Sequence, residues 1–101
     1  MEKTNITHLR KALDLSSYEA KLYIAGLEIG SGTLSDYARA TGIPRTAVYP
    51  PIQALLSKGL MSTTPIGKRI QYQSIAPEHL RRFIDEKRAA LENVIDGLTS
   101  G

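Results

Sequence analysis

The sequence predicts a mainly helical protein with one small β-hairpin and a long last helix. Helix start and stop signals bracket four segments of helical periodicity before residue 60. The apolar period then changes to two between Leu60 and Ile75, and a coiled-coil-like stripe follows Pro77. With 101 residues, of which 42% are hydrophobic, the chain has the size and composition of one domain.

Two helices are predicted at the start of the chain. The first carries Ile6, Leu9 and Leu13 at helical spacing. Ser16 and Glu19 form a capping box for the second, in which each side chain accepts a hydrogen bond from a free backbone N–H. Gly30 is expected to end this helix, and Gly26 inside it suggests a close helix crossing. Its apolar face comprises Ala20, Tyr23, Ile24 and Leu27.

Two further helices flank a tight turn. Thr33 opens a short helix, with Asp36 three residues later, and Gly42 ends it. Pro44 suits the first turn of the next helix, which closes at Lys58–Gly59. A short helix joined by a tight turn to another helix is the helix-turn-helix arrangement. The inward residues of the second helix are Val48, Ile52, Leu55 and Leu56.

Pro50 and Pro51 interrupt this second helix. Neither has an N–H, so the carbonyls of Thr46 and Ala47 lose their helical donors. Either the helix kinks, or a short turn precedes a helix that begins near Pro50. The second alternative would present Arg45 and Thr46 differently.

A hairpin is predicted next. Leu60–Thr64 and Ile70–Ile75 read as strands, and Pro65–Arg69 as the turn between them. A hairpin directly after a helix-turn-helix is a wing, which can reach the DNA backbone or minor groove. The predicted fold is therefore a winged helix-turn-helix with a long C-terminal dimerisation helix.

The last helix, from Pro77, carries an apolar stripe that Lys87 interrupts. The stripe either packs within the chain or forms a dimer seam, that is, the line along which two helices pack. The helix extends beyond the small core that it could cover, which favours a partner. We expect residues 1–76 to form the DNA-binding part and residues 77–101 the dimerisation helix of the same compact domain. The predicted seam residues are Leu80, Ile84, Lys87, Leu91, Val94 and Leu98.

Charge is distributed unevenly along the chain. The formal net charge of +3 is too small to identify a partner. Tyr37–Pro77, however, holds five of the 13 basic residues and none of the 10 acidic ones. The excess positive charge coincides with the predicted helix-turn-helix and wing, where phosphates would lie.

Candidate DNA contacts follow from this placement. Four residues lie off the core face of the second helix of the motif, and two mark the wing tip. Arginine can pair with guanine and glutamine with adenine, whereas threonine and tyrosine more often touch phosphate or thymine methyl. Arg39 is either a backbone contact or a plain surface charge. The candidates are Arg45, Thr46, Tyr49, Gln53, Lys68, Arg69 and Arg39.

Three motifs resemble the TrmB family of transcriptional regulators. Leu15–Tyr23 looks like its opening helix, Gly42–Tyr49 like its turn and recognition-helix start, and Leu55–Leu60 like the helix end before the wing. The similarity extends over about residues 9–92. It implies a winged helix-turn-helix that binds DNA as a dimer through its last helix. Many members carry a further sugar-binding domain that this chain does not match, so sugar sensing is not carried over.

Other chemistries find no support in the sequence. Cysteine is absent, which excludes disulfides and thiolate metal sites. His8 and His79 lack partners at ligand spacing, so we expect no metal and no cofactor. No catalytic arrangement is evident, and an enzyme is not predicted. Neither a signal region nor a membrane span is seen, and we expect a cytoplasmic protein. Four tyrosines are expected in the core rather than stacking on bases: Tyr18, Tyr23, Tyr37 and Tyr72.

The predicted function is a sequence-specific regulator of transcription that binds duplex DNA as a homodimer. The alternative is a winged helix that binds proteins without reading DNA, and the Pro50–Pro51 interruption favours that alternative. The sequence does not identify the operator, any small-molecule effector, or whether the protein activates or represses transcription.

Overall fold

A computed structural model describes residues 3–100 of the chain. Its elements follow the predicted order of four helices, a hairpin and a long helix. The last helix is preceded by a short 3-10 turn, Pro77–His79, so its α-helical part begins slightly later than predicted. The elements are α1 Lys3–Leu13, α2 Ser17–Ile29, α3 Leu34–Thr41, α4 Arg45–Ser57, β1 Met61–Ile66, β2 Arg69–Ser74 and α5 Leu80–Ser100.

Helix α2 is the centre of the fold. Its predicted capping box is present, since the Ser16 hydroxyl accepts from the Glu19 N–H and the Glu19 carboxylate accepts from the Ser16 N–H. The helix packs against α1, α3, α4 and β2. It therefore buries more than the predicted single face: Leu22 and Ala25 are buried as well, whereas Leu27 is only partly buried.

Gly26 lies where α2 meets the hairpin. A Cβ there would clash with the Ser74 hydroxyl of β2 and approach the Tyr37 hydroxyl of α3. The Ser74 hydroxyl donates a hydrogen bond of 2.7 Å to the Tyr23 carbonyl. The close approach at Gly26 is therefore not the expected crossing of two helices. It is made by strand β2 and by the hydroxyl of Tyr37.

The helix-turn-helix is formed by α3 and α4. Thr33 and Asp36 cap the start of α3 reciprocally, and Gly42 ends it in the left-handed conformation, φ 76°. Pro44 occupies the N-cap position, one residue before α4, rather than the first helical turn. The predicted inward residues Val48, Ile52 and Leu55 are buried, which anchors α4 to the core.

Pro50 and Pro51 lie inside a continuous α4. The helix begins at Arg45 and continues through both prolines to Ser57. The alternative of a helix that begins near Pro50 is therefore wrong. The burial of Val48 on one side of the prolines and Ile52 on the other supplies apolar packing that offsets the missing hydrogen bonds.

The wing is a regular antiparallel hairpin. Its register pairs Met61 with Ser74 and continues to Ile66 opposite Arg69. The turn is thus limited to Gly67 and Lys68, shorter than predicted, with Gly67 at φ 60°. Pro65 and Ile66 belong to the strand rather than to the turn.

Three of the four tyrosines are in the core as predicted. The Tyr23 hydroxyl donates to the Ile75 carbonyl at 2.9 Å, and Tyr72 is buried at the base of the wing. Tyr37 is fully buried, and its burial raises its pKa to about 12. The prediction for Tyr18 is wrong, since 42% of this residue is exposed near the start of α2.

Helix α5 leaves the body of the protein. Leu80, Phe83 and Ile84 are partly buried and pack against the core, and the residues from 85 to 100 are exposed. At about 1.5 Å per residue, its 21 residues extend roughly 30 Å. Gly97 lies inside the helix.

Candidate nucleic-acid interface

A basic cleft lies between the start of α3, the start of α4 and the wing tip. Its volume is about 500 Å³. Arg39 reaches it from α3, Arg45 from α4, and Lys68 and Arg69 from the hairpin. The fold therefore brings together four of the seven predicted DNA-contact residues, although 30 positions separate the first from the last.

Lys58, the fifth basic residue of the Tyr37–Pro77 segment, is oriented elsewhere. Its ammonium donates to the Asp14 carbonyl at 2.8 Å and to the Glu19 carboxylate at 3.0 Å. This partly buried pair joins the end of α4 to the start of α2 and neutralises the lysine. The positive charge of the segment is consequently concentrated in the basic cleft.

Two polar residues of α3 orient the arginines of the cleft. The Arg45 Nε donates to the Ser35 hydroxyl at 3.3 Å. An Arg39 guanidinium nitrogen lies 3.5 Å from the Asp36 carboxylate in an exposed pair, which contributes little to stability. Sequence reasoning assigned Asp36 only to helix capping and missed Ser35. The cap spacing identified the first but gave no signal for the second, whose role depends on tertiary contact.

Hydrogen bonds from Thr33 hold the carboxylate of Asp36 in its charged form. Its carboxylate accepts from the Thr33 N–H at 2.9 Å. The hydrogen bonds from Thr33, with the positive charges of Arg39 and Arg69, lower the pKa of Asp36. The carboxylate thus stays charged at neutral pH and keeps the start of α3 capped beside the cleft.

The outer face of α4 continues from the cleft. Arg45 and Thr46 are exposed in its first turn, and Tyr49 follows one turn later with 50% of its surface accessible. Gln53 is only partly exposed, a turn beyond the prolines. The first turn and a half of α4 therefore presents its side chains more fully than the part after Pro51.

The wing tip combines charge with exposed apolar groups. Lys68 and Arg69 are exposed, and Ile66 and Ile70 beside them are each about half exposed. Ile70 and Tyr72 alternate along the predicted strand, but only Tyr72 is buried, and Ile70 lines the basic cleft.

The predicted seam of α5 divides into two parts. Leu80 and Ile84 are partly covered by their own core, whereas Leu91, Val94 and Leu98 are exposed together with Ile95. Between the two parts, the Lys87 ammonium lies 5.4 Å from the centre of the Phe83 ring, a cation–π distance.

Within residues 3–100, no three histidine or acidic side chains lie together as a metal centre, and His8 and His79 are both exposed. None of the helices described there is both long and apolar enough to cross a membrane.

Relatives of known sequence share this part of their chains. The chain is 32% identical over 79 residues to the DNA-binding HTH-type transcriptional repressor TrmBL2 of Thermococcus kodakarensis, covering 77% of this chain and 30% of that protein. It is 28% identical over 94 residues to YrhO, an uncharacterized protein of Bacillus subtilis, covering 93% and 33%. The chain thus spans about a third of the length of these curated relatives.

Solved structures show the same fold. A structure of TrmBL2, described as an archaeal chromatin protein with a novel mode of DNA binding, superposes with a TM-score of 0.84 at 25% identity, covering 94% of this chain and 38% of that one. The ST1889 protein of Sulfolobus tokodaii superposes with a TM-score of 0.69 at 16% identity, covering 92% and 96%. The winged-helix architecture predicted from the sequence is confirmed.

The family model described as sugar-specific transcriptional regulator TrmB matches residues 9–78, more than half of the chain. This range contains the three motifs on which the resemblance was based, and the structure shows them as the capped start of α2, the turn into α4 and the end of α4. The chain belongs to the TrmB family of winged helix-turn-helix transcriptional regulators.

Proposed function

We propose that this chain is a cytoplasmic protein that binds duplex DNA sequence-specifically as a homodimer and regulates transcription. Residues 1–76 bind the DNA and residues 77–101 join the two subunits. The observation that carries the proposal is the basic cleft, in which Arg39, Arg45 and the wing-tip pair Lys68–Arg69 lie beside the exposed start of α4.

The first part of α4 enters the major groove, which is wide enough for one helix. Arg45 is the principal base contact, because a guanidinium can pair with both guanine acceptors at once. Thr46 and Tyr49 contact phosphate or thymine methyl, and Gln53 reaches a base edge from the partly covered side of the helix.

The wing and α3 hold the backbone. Lys68 and Arg69 are exposed at the hairpin turn, and Arg39 extends from the end of α3 into the same cleft. A strand of phosphates that follows the cleft would be contacted from both sides. These contacts supply affinity without sequence information, because every duplex carries the same phosphates.

The relatives support this assignment. TrmBL2, which the chain matches over about a third of its length, is described as a DNA-binding transcriptional repressor, and its structure as showing a novel mode of DNA binding. The matched segment is the winged helix itself, which carries the basic cleft in this chain.

The homodimer rests on the stripe of α5. Leu91, Val94 and Leu98 are exposed along a helix that leaves the body of the protein. Large apolar side chains at coiled-coil spacing are stabilised by a second helix. A symmetric dimer presents two copies of α4 to half-sites about one helical turn, or about 34 Å, apart.

A second candidate function is protein binding. Tyr18 and Tyr49 are each about half exposed, and a shallow groove between Ser16–Glu19 and Pro50–Pro51 lies near them. Such a surface fits a protein partner more readily than phosphates. Binding to protein would persist at high salt, whereas DNA binding weakens steeply because phosphate contacts release counterions.

Selection of bound duplexes from a random library at two salt concentrations tests the proposal. We expect an enriched palindrome with half-sites about one helical turn apart and a strong loss of binding at the higher salt. Recovery of random sequences at low salt would contradict sequence specificity, and no recovery at either salt would favour the protein-binding alternative.

A further inference from the structure

We infer that the two subunits pair their α5 helices antiparallel, with Leu80 of one subunit opposite Leu98 of the partner subunit, and that the end of the partner's helix covers an apolar groove beside α1. This inference rests on the proposed homodimer and specifies its geometry. It is carried by the spacing of the stripe, the charges of α5 and the position of the groove.

The spacing of the stripe is palindromic. From Leu80 to Leu98 the six seam positions are separated by four, three, four, three and four residues, which reads the same in both directions. A two-fold axis at residue 89 therefore brings every seam position opposite another seam position.

Lys87 distinguishes antiparallel from parallel pairing. In a parallel pair, Lys87 would face Lys87 of the partner subunit inside the seam, and two ammonium groups would repel at close range. In the antiparallel register it faces Leu91 of the partner subunit instead. Its aliphatic stem can then pack on the leucine while the ammonium keeps its position over Phe83.

The charges of α5 favour the same direction. Residues 80–88 contain four basic and two acidic side chains, whereas residues 91–100 contain two acidic and no basic side chains. Antiparallel pairing lays the positive half of one helix along the negative half of the other. Parallel pairing would place like halves together.

The groove shows where the end of the partner's helix would lie. It has a volume of about 390 Å³, its accessible lining is almost entirely apolar, and Leu80, the first seam residue, forms part of it. In the palindromic register Leu80 meets Leu98 of the partner subunit, and Leu98 is 78% exposed in the isolated chain. The other residues that form its walls include His8, Leu9, Ala12, Leu27 and Pro77.

The uneven burial of α5 also favours the antiparallel pairing. The first turns of α5 are partly covered by their own core, and only its distal half is free. Parallel pairing would bring both covered ends together with their attached bodies. Antiparallel pairing places each free half against a covered half, where the open side of the groove remains.

Spin-label distances test the direction of pairing. The chain has no cysteine, so Ser100→Cys and Glu92→Cys each give a single label per subunit. Antiparallel pairing about residue 89 predicts Cα separations of about 35 Å at position 100 and about 13 Å at position 92, from the helical rise and interhelical distance. Sedimentation of the same samples establishes the dimer.

Each other result overturns the inference in a distinct way. A dimer with short distances at both positions is parallel, and one with long distances at both uses another surface. Either result removes the pairing and leaves the homodimer. A chain that stays monomeric in sedimentation removes the homodimer together with the pairing.

A substitution in the groove tests its occupant. Ala12→Arg places a charged side chain where the partner's Leu98 is expected, and Ala40→Arg makes the same change at an exposed alanine of α3 far along the chain from the groove. We expect the dimer dissociation constant to rise at least about tenfold for the first variant and to stay unchanged for the second. Equal constants in both variants, with unchanged circular dichroism, would show that the groove is not covered in the dimer.

Discussion

The hydroxyl of Tyr37 donates a hydrogen bond of 2.8 Å to the carbonyl oxygen of Tyr72, joining α3 of the helix-turn-helix to the base of the wing. Both residues are buried, so neither group has water as an alternative partner. The helix-turn-helix and the wing are therefore linked by a core contact rather than by the chain connection alone.

Removing this hydroxyl is expected to destabilise the fold. Tyr37→Phe keeps the ring but removes one of the two donors to the Tyr72 carbonyl, which still accepts from the Gly32 N–H, so we expect a loss of about 0.5–1.5 kcal/mol. Urea unfolding followed by circular dichroism measures the difference. Tyr49→Phe, at an exposed position, serves as the matched control and should change the free energy of unfolding by less than about 0.5 kcal/mol.

The same residue predicts a loss of stability in alkali. Tyr37 has a folded-state pKa of about 12, above its ordinary value of 10.0. Below pH 10 both states are neutral and its contribution to stability is complete. Between about pH 10 and 12 the unfolded state ionises first, so stability falls as pH rises. Unfolding midpoints across this range should fall less steeply for Tyr37→Phe, and parallel slopes would refute the assignment.

Charge removal at the wing tip should weaken binding to all duplexes alike. Lys68→Ala with Arg69→Ala removes two phosphate contacts, and the slope of log affinity against log salt should become shallower by about two. Lys11→Ala with Lys21→Ala gives the same net charge from exposed positions on α1 and α2. Fluorescence anisotropy with two unrelated duplexes measures the affinity of both double variants at several salt concentrations. Equal salt slopes in the two double variants would argue against wing contact.

Arg45 should affect discrimination more than general affinity. A bidentate pair with guanine contributes about 1–3 kcal/mol of selectivity, which Arg45→Ala removes. Competition between the selected operator and a copy with the contacted base changed measures this difference. Lys68→Ala is the comparison, since a phosphate contact weakens both duplexes equally and preserves their ratio.

Pro50 is expected to lower the stability of α4 in the native chain. Pro50→Ala restores an N–H for the Thr46 carbonyl and relieves crowding with the preceding turn, so the free energy of unfolding should rise by about 1–3 kcal/mol. Pro44→Ala, at the N-cap before α4, changes no hydrogen bond within the helix and is the control. Thermal unfolding of both variants provides the comparison.

Local signals predicted the helices well. The spacing of Ser16 and Glu19, and of Thr33 and Asp36, located two helix starts to the residue, because capping is decided within four positions of the chain. Periodicity likewise identified Val48, Ile52 and Leu55 as the core face of α4 despite two prolines.

Features that depend on tertiary contact were missed. Tyr18 has the spacing of a core residue but lies near the exposed start of α2, and Ile70 alternates with Tyr72 but lies beyond the last layer of the core. The sequence predicted a basic segment between Tyr37 and Pro77, but it did not predict the cleft that four of its basic residues form. Lys58 pairs with Glu19, whereas the other four basic residues converge on the cleft. Their order along the chain does not indicate this difference.

The attachment of the wing has a consequence for the thermodynamics of recognition. Its base is held by the double hydrogen bond between Gly32 and Tyr72 and by the Ser74 hydroxyl on Tyr23, whereas residues 62–70 are exposed. Amide hydrogen exchange should therefore be slow at the base and fast at the turn. If the chain binds DNA as proposed, the conformational entropy lost on binding should come mainly from a few tip residues, because the base of the wing is already held by hydrogen bonds to the core.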